Sequence, residues 1–215
     1  MALRIDHVVW GVDDLDRAAE EVQERFGLAS VPGGRHPGWG TANRIVPLGD
    51  SYLELLAVVD PDEAAADPVG SGYARHIRAA SGLMLWCLAN DGLDAVAARL
   101  GLGIQAKSRV LPDGTRIGWR SAGLPSALAN PSLPFFIEWD VAPEHHPGRM
   151  EAPHAATPQG IVSVTVGADP GELSAWLGGA PLPVRLGGPP GVNVATVATS
   201  AGEMTIHDPS PRIAP

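Results

Sequence analysis

Two glutamates stand in apolar segments, where a charged side chain is unusual. Glu54 lies in Tyr52-Leu-Glu-Leu-Leu-Ala57, and Glu138 lies in Phe135-Phe-Ile-Glu-Trp139. Burial of a carboxylate without a partner is costly, so each one needs a cation, a donor or a ligand beside it. A carboxylate held in this way can act as a general base or bind a metal ion. Because both segments hold equivalent positions in a repeated unit, we predict that they face one interior site.

The same residues allow a purely structural interpretation. Arg44 or Arg116 could pair with either glutamate, and His7, in the first β-rich segment, could be satisfied by the backbone. Side chains alternate along a strand, so Tyr52 and Glu54 share one face of the last strand of the unit.

The glycine-rich segment at residues 33–43 has the composition of a functional loop. His36 is expected to orient or protonate a ligand there, although an exposed turn position also fits a histidine before proline. Asn43 either contacts the ligand or caps a turn. Three further residues are candidate ligand contacts, with a place in the core or an ion pair as the alternative: Trp86, Arg116 and Trp119.

These candidates lie in a pattern that recurs along the chain. A β-rich segment at 4–12 is followed by the N-cap pair Asp13-Asp14 and by apolar residues at helical spacing up to Gly27. Extended segments at 30–38, 42–47 and 52–59 complete a β-α-β-β-β unit.

A second copy begins with a strand at 83–89. Asp91 is predicted to cap its helix and Gly101 to end it. Two extended segments then flank the turn signal Pro112-Asp113-Gly114, and the segment around Glu138 closes the copy.

A third, shorter copy starts at 161–166, with Asp169 as the helix cap and Gly178 as its end. Such repetition predicts an α+β fold in which mixed sheets curl around a central cavity with helices outside. We expect one domain at residues 1–141, with βαβββ modules at 3–59 and 82–140, and a third partial module at 160–208 packed on it.

Composition limits the partners. The net charge is −9, and only 15 Lys plus Arg face 24 Asp plus Glu, which argues against nucleic acid and against an anionic membrane as partners.

No apolar run approaches the ~18 residues of a membrane span, and the first residues do not form a signal peptide, so a cytoplasmic location is expected. Cys87 is the only cysteine and is expected to be a small buried hydrophobe. A small molecule or another protein is the expected partner.

The chain resembles the glyoxalase-like domain proteins of the vicinal-oxygen-chelate superfamily. The resemblance covers residues 3–208 and is carried by 33–43, Tyr52-Leu-Glu54, Pro134-Phe-Phe-Ile-Glu-Trp139 and His146-Pro147. Proteins of this superfamily pair βαβββ modules into open barrels around a divalent metal, and the first and last strands of each module supply ligands. The resemblance also implies a homodimer.

Carried over by position, this pattern implies His7, Glu54 and Glu138 as metal ligands. The fourth position falls near Met84, where the chain departs from the pattern, because methionine is a poor ligand for hard metals.

Two functions follow from the resemblance. The first is a metal-dependent enzyme acting on a small oxygenated substrate, as an isomerase, lyase or dioxygenase. The ion would stabilise a developing enolate or oxyanion, while Glu54, Glu138 or His36 moves protons. The second is a metal-free protein that binds or sequesters a small molecule, which Met84 and the tryptophans favour. A purely regulatory or structural interaction module is a further alternative.

Overall fold

The computed structural model of the chain describes residues 3–79, 81–110 and 116–207. The predicted turn Pro112-Asp113-Gly114 lies outside these residues. Strands form a curled mixed sheet with helices packed outside it, which confirms the predicted α+β class. None of the helices in the described part of the chain is long and apolar enough to span a membrane.

The first β-α-β-β-β unit, module one, follows the predicted order. Helix α1 begins after Asp14, whose carboxylate accepts hydrogen bonds from the backbone N–H groups of Asp16 and Arg17. It ends at Gly27, whose φ of 65° is left-handed and is adopted by glycine without strain. The elements of module one are β1 (Arg4–Gly11), α1 (Leu15–Phe26), β2 (Val31–His36), β3 (Thr41–Pro47) and β4 (Tyr52–Val58).

The second unit, module two, repeats the plan with changes. The predicted cap at Asp91 is wrong, because Gly92 holds the cap position of α4 and Asn90 accepts a hydrogen bond from the Gly92 N–H. Gly101 ends α4, as predicted. Helix α5, between the last two strands, was not predicted. The connecting helices and module two comprise α2 (Pro61–Ala65), α3 (Pro68–Ala79), β5 (Gly82–Ala89), α4 (Leu93–Leu100), β6 (Ile104–Val110), β7 (Arg116–Ala122), α5 (Leu124–Ala129) and β8 (Phe135–Asp140).

One eight-stranded sheet joins the two modules, in the order β2-β3-β4-β1-β5-β8-β7-β6. Within module one, β1 runs parallel to β4, with His7 opposite Tyr52. Within module two, β5 runs parallel to β8, with Cys87 opposite Phe135. The modules meet where β1 and β5 pair antiparallel, with His7 opposite Cys87. The first and last strands of both modules therefore occupy the centre of the sheet.

Strand alternation divides the side chains of this sheet into two faces. On the face that we call the core face, Leu53, Trp86 and Phe136 are fully buried against α1, α4 and the C-terminal elements. On the opposite face, Phe135 and Ile137 pack in a second cluster with residues of α3 and α5. We call this second side the cavity face.

The C-terminal elements form a sheet of their own rather than extending the first. Val164, Val197 and Ile206 are fully buried in the same core as Leu53, so this sheet covers the core face and leaves the cavity face open. Division of the chain into the predicted domains stays a prediction. The elements are β9 (Pro158–Gly167), α6 (Pro170–Leu177), β10 (Val184–Thr199) and β11 (Gly202–His207), in the sheet order β11-β10-β9.

Candidate functional site

A cavity of about 70 Å³ lies on the cavity face and is lined by residues of both modules. Module one contributes polar side chains from β1, β3 and β4, including His7, Asn43 and Glu54. Module two contributes mainly aromatic and aliphatic side chains, including Trp119 and Ile137. The volume suits a small molecule or the end of a larger one.

Glu54 and His7 lie side by side in the wall and are almost completely buried, at 8% and 3% exposed. The Nε2 atom of His7 is 3.7 Å from one Glu54 carboxylate oxygen. Asn43 Nδ2 donates to the other oxygen at 2.5 Å, and Asn43 Oδ1 accepts from the backbone N–H of Gly34 at 2.8 Å. Because the amide is bound at both ends, its NH₂ group is directed at Glu54 and holds the carboxylate in one orientation.

Asp6 orients His7 from behind. It is 1% exposed, and its Oδ1 lies 2.6 Å from His7 Nδ1. Its Oδ2 accepts from Trp139 Nε1 at 2.9 Å and lies 3.1 Å from His146 Nε2. Burial alone would raise the pKa of Asp6, but hydrogen bonds from His146 and His7, together with their charges, hold that pKa well below its usual range. The ionised carboxylate therefore binds Nδ1 of His7 and leaves Nε2 directed toward Glu54.

Neither Asp6 nor His146 was among the predicted site residues. The signal for Asp6 was its place beside His7 in an apolar strand, where a second charged group also needs partners. His146 is 140 positions away in a proline-rich segment, and no local pattern connects it to β1.

Tyr73, on α3, adds a hydroxyl group to the cavity wall and was also missed. Its side chain is buried, and burial, followed by the negative charge of Glu54, raises its pKa well above the usual value. The phenol therefore stays protonated at neutral pH and can donate a hydrogen bond.

Three of the predicted ligand contacts line the cavity. Asn43 has been described, and His36 lies with Nδ1 2.9 Å from Thr41 Oγ1. Trp119 packs on Trp139, with ring centroids 5.8 Å apart.

Two other predicted contacts lie elsewhere. Trp86 is fully buried on the core face. Neighbouring residues of a strand point to opposite faces, and the next residue, Cys87, lies on the cavity face. Arg116 is exposed at the start of β7 and does not line the cavity.

Glu138 is also separated from His7 and Glu54, contrary to the predicted ligand set. Arg120 donates to its Oε2 through both Nε, at 2.8 Å, and Nη2, and the backbone N–H of Leu93 lies 3.5 Å from Oε1. The reason is strand alternation: Ile137 faces the cavity and Glu138 faces α4. By register, Ile137 holds the position in module two that Glu54 holds in module one.

The donors present do not fit a metal ion held between the modules. On the cavity wall, His7 Nε2 and Glu54 offer ligand atoms close together, and His36 is a third lining residue with a ligand atom, but all three belong to module one. Among the described residues these three do not have donor atoms within 4.8 Å of one another, whereas protein sites for divalent ions usually supply three ligands or more. Met84, near the predicted fourth position, is buried in the second cluster and does not line the cavity.

A second group, Asp6, His7 and Cys87, has donor atoms within 4.8 Å of one another. Both oxygens of Asp6 are already hydrogen-bonded. Burial, and then the charges of Asp6 and Glu54, raise the pKa of the Cys87 thiol well above its usual value, which opposes the thiolate that a metal requires. Cys87 is fully buried, as predicted.

Comparison with solved structures agrees with this fold. A hypothetical protein from Staphylococcus aureus is similar with a TM-score of 0.63 and 16% identity, over 97% of this chain and 87% of that one. A methylmalonyl-CoA epimerase from Streptomyces coelicolor gives a TM-score of 0.44 and 20% identity, over 65% of this chain and 97% of that one. The corresponding epimerase from Mycobacterium tuberculosis gives 0.44 and 20%, over 66% and 89%. No curated protein matches the chain.

The family comparison is more specific than the likeness to the Staphylococcus aureus protein, which at 16% identity concerns the fold alone. The sequence model of the glyoxalase-like domain family matches residues 5–180, which is most of the 215-residue chain. The match includes both modules and the whole cavity wall. The protein therefore belongs to the glyoxalase-like domain family.

Proposed function

We propose that this protein is an enzyme that moves a proton on a small oxygenated molecule bound in the cavity, with Glu54 as the general base. One observation carries the proposal. Glu54 is a buried carboxylate on the cavity wall, and no Lys or Arg in the described ranges forms an ion pair with it. A buried carboxylate with no Lys or Arg partner is costly to keep, and a role as acceptor for a substrate proton accounts for it.

The neighbouring groups support proton transfer at a carbon next to a carbonyl group. Asn43 holds one oxygen of Glu54, so the other, beside His7, is the one that accepts the proton. When the proton leaves, negative charge develops on the carbonyl oxygen, and a donor placed there stabilises it. The neutral phenol of Tyr73 lines the same cavity and serves as that donor.

Metal-dependent chemistry through His7, Glu54 and Glu138 is not part of this proposal. The reason is geometric, since Glu138 is bound by Arg120 on the core face and the opposite cavity wall provides no replacement carboxylate or imidazole among the described residues. Glu54 is therefore assigned a proton-transfer role in place of a ligand role.

The test is hydrogen–deuterium exchange at carbon. Small 2-hydroxy and 2-oxo carbonyl compounds are incubated with the protein in D₂O, and loss of the α-proton signal is followed by NMR. Glu54→Gln should slow enzyme-dependent exchange by about 10²–10⁴-fold, because a positioned general base contributes that much. Glu138→Gln is the matched control, with the same chemical change in the last strand of the other module, and should exchange like the wild type. Equal losses in both variants, or none in Glu54→Gln, would contradict the proposal.

The alternative of a binding or sequestration protein rests on module two. Its cavity residues Trp119, Phe135, Ile137 and Trp139 offer contact area and no acid or base. A molecule that binds in the cavity, shields it from solvent and shows no exchange at carbon would favour this alternative.

A further inference from the structure

Aromatic residues are concentrated around the cavity. The chain has six Trp, two Tyr and three Phe residues, and six of these eleven line this one small space. They come from β4, β7, β8, α3 and the loop after β2, so residues distant in the sequence converge on it. The six are Trp39, Tyr52, Tyr73, Trp119, Phe135 and Trp139.

Two carboxylates contribute negative charge at the cavity, with the imidazole of His7 between them. Glu54 lies in the wall, and the ionised Asp6 lies directly behind His7. No Lys or Arg lines the cavity in the described ranges. Aromatic faces are themselves negative because of the ring quadrupole, so rings and carboxylates together favour positive charge.

One ring of this set already binds an ammonium group of the chain. Lys107, the only lysine in the sequence, has its Nζ 4.4 Å from the centroid of Trp39. Lys107 lies on the edge strand β6, and Trp39 follows β2, the edge strand at the opposite end of the sheet. This contact places an ammonium group against one of the lining rings in the folded protein.

We propose that the cavity binds a small organic cation, with its ammonium group against the aromatic rings and Glu54 as the counter-ion. An anion would place two like charges together in a space shielded from water, which is strongly unfavourable. A neutral ligand would leave the buried Glu54 with no partners beyond Asn43 and His7. The proposal concerns the same site as the proposed function and specifies its substrate as an amine or quaternary ammonium compound.

The experiment compares cations with neutral molecules of the same shape. Choline is paired with 3,3-dimethylbutan-1-ol, and ethanolammonium with propan-1-ol, and each is titrated into the wild-type protein by calorimetry and by tryptophan fluorescence. At least one cation should bind tenfold or more tightly than its neutral partner. Equal affinities in both pairs, or tighter binding of acetate than of either cation, would overturn the proposal.

Variants test whether the preference for the cation depends on Glu54 and on the aromatic rings. Glu54→Gln should remove the preference for the cation, whereas Glu20→Gln, which removes one exposed carboxylate from α1, should keep it. Trp119→Leu should weaken the cation more than the neutral partner, because an aliphatic side chain fills space without a ring face. Preference that survives in Glu54→Gln and Trp119→Leu would contradict this location.

The two proposals fail separately. Preference for the cation without α-proton exchange would support the proposed ligand class and contradict the proposed enzymatic function. Exchange of neutral or anionic substrates without preference for the cation would support the enzymatic function and contradict the ligand class.

Discussion

The two halves of the cavity wall have the same architecture and opposite chemistry. Module one places His7, Asn43 and Glu54 on the cavity face, with Asp6 behind His7. Module two presents mainly rings and aliphatic groups from the corresponding strands β7 and β8, together with the hydroxyl-bearing Ser121. The repeat therefore supplies the scaffold, and only one copy carries the acid–base groups. Function resides in the side chains and not in the fold that holds them.

Much of this difference arises from a shift of one residue on β8, which turns its glutamate to the other face of the sheet. Both modules end in an apolar strand with one glutamate, but Glu54 faces the cavity and Glu138 faces α4. Arg120, which binds Glu138 and Asp94, gives the second glutamate a structural partner at the edge of the core. Three predictions test the comparison, in order of decreasing effect.

Phe136→Ala should produce the largest change, a loss of about 3–5 kcal/mol in the free energy of unfolding, because a fully buried ring on the core face is replaced by a void. Phe136 is 0% exposed and stacks with Trp176, at 6.2 Å between centroids. Trp119→Ala, on the half-buried cavity side, should cost less. Urea denaturation measures both, and a reversed order would show that the two faces of module two have been assigned wrongly.

Asp6→Asn should cost about 2–3 kcal/mol at neutral pH, since a charged acceptor bound by His7, His146 and Trp139 becomes a neutral one. The folded-state pKa of Asp6 is below its unfolded value of about 4, so this stabilisation is present above about pH 4 and is lost as the pH falls toward the folded value. The difference between wild type and variant should therefore shrink in acid. Urea titrations at several pH values check this, and a difference that grows in acid would contradict the ionised state of Asp6.

Glu138→Gln should have the smallest effect, under about 1 kcal/mol of stability, because Arg120 and Glu138 are both partly exposed and water screens their attraction. Elemental mass spectrometry should find the same divalent metal content in this variant as in the wild type. A metal that is present in the wild type and lost in Glu138→Gln would restore the ligand set that the superfamily pattern implied.

Local patterns in the sequence predicted much of the scaffold. Asp14, Gly27, Gly101, Asp169 and Gly178 mark helix ends where they were expected, because caps and left-handed glycines act through the backbone over one turn. The pairing of His7 with Glu54 was also predictable, since both stand out against apolar strands of one unit.

Longer-range relations were not predictable in this way. The alternation within β8 showed that Glu138 and Ile137 face opposite sides, but not which side holds the cavity, and Trp86 on β5 was misplaced for the same reason. The contact between Asp6 and His146 joins residues 140 positions apart, and tertiary packing alone brings them together.

The sequence by itself determined the repeat, the helix ends and the presence of buried charge, because each depends on a residue's own chemistry and its near neighbours. Tertiary structure alone decided which glutamate faces the cavity, which histidines bind Asp6 and how six rings converge on one space. Those outcomes depend on the register and packing of strands distant in the chain, where a shift of one residue exchanges the two faces of a sheet.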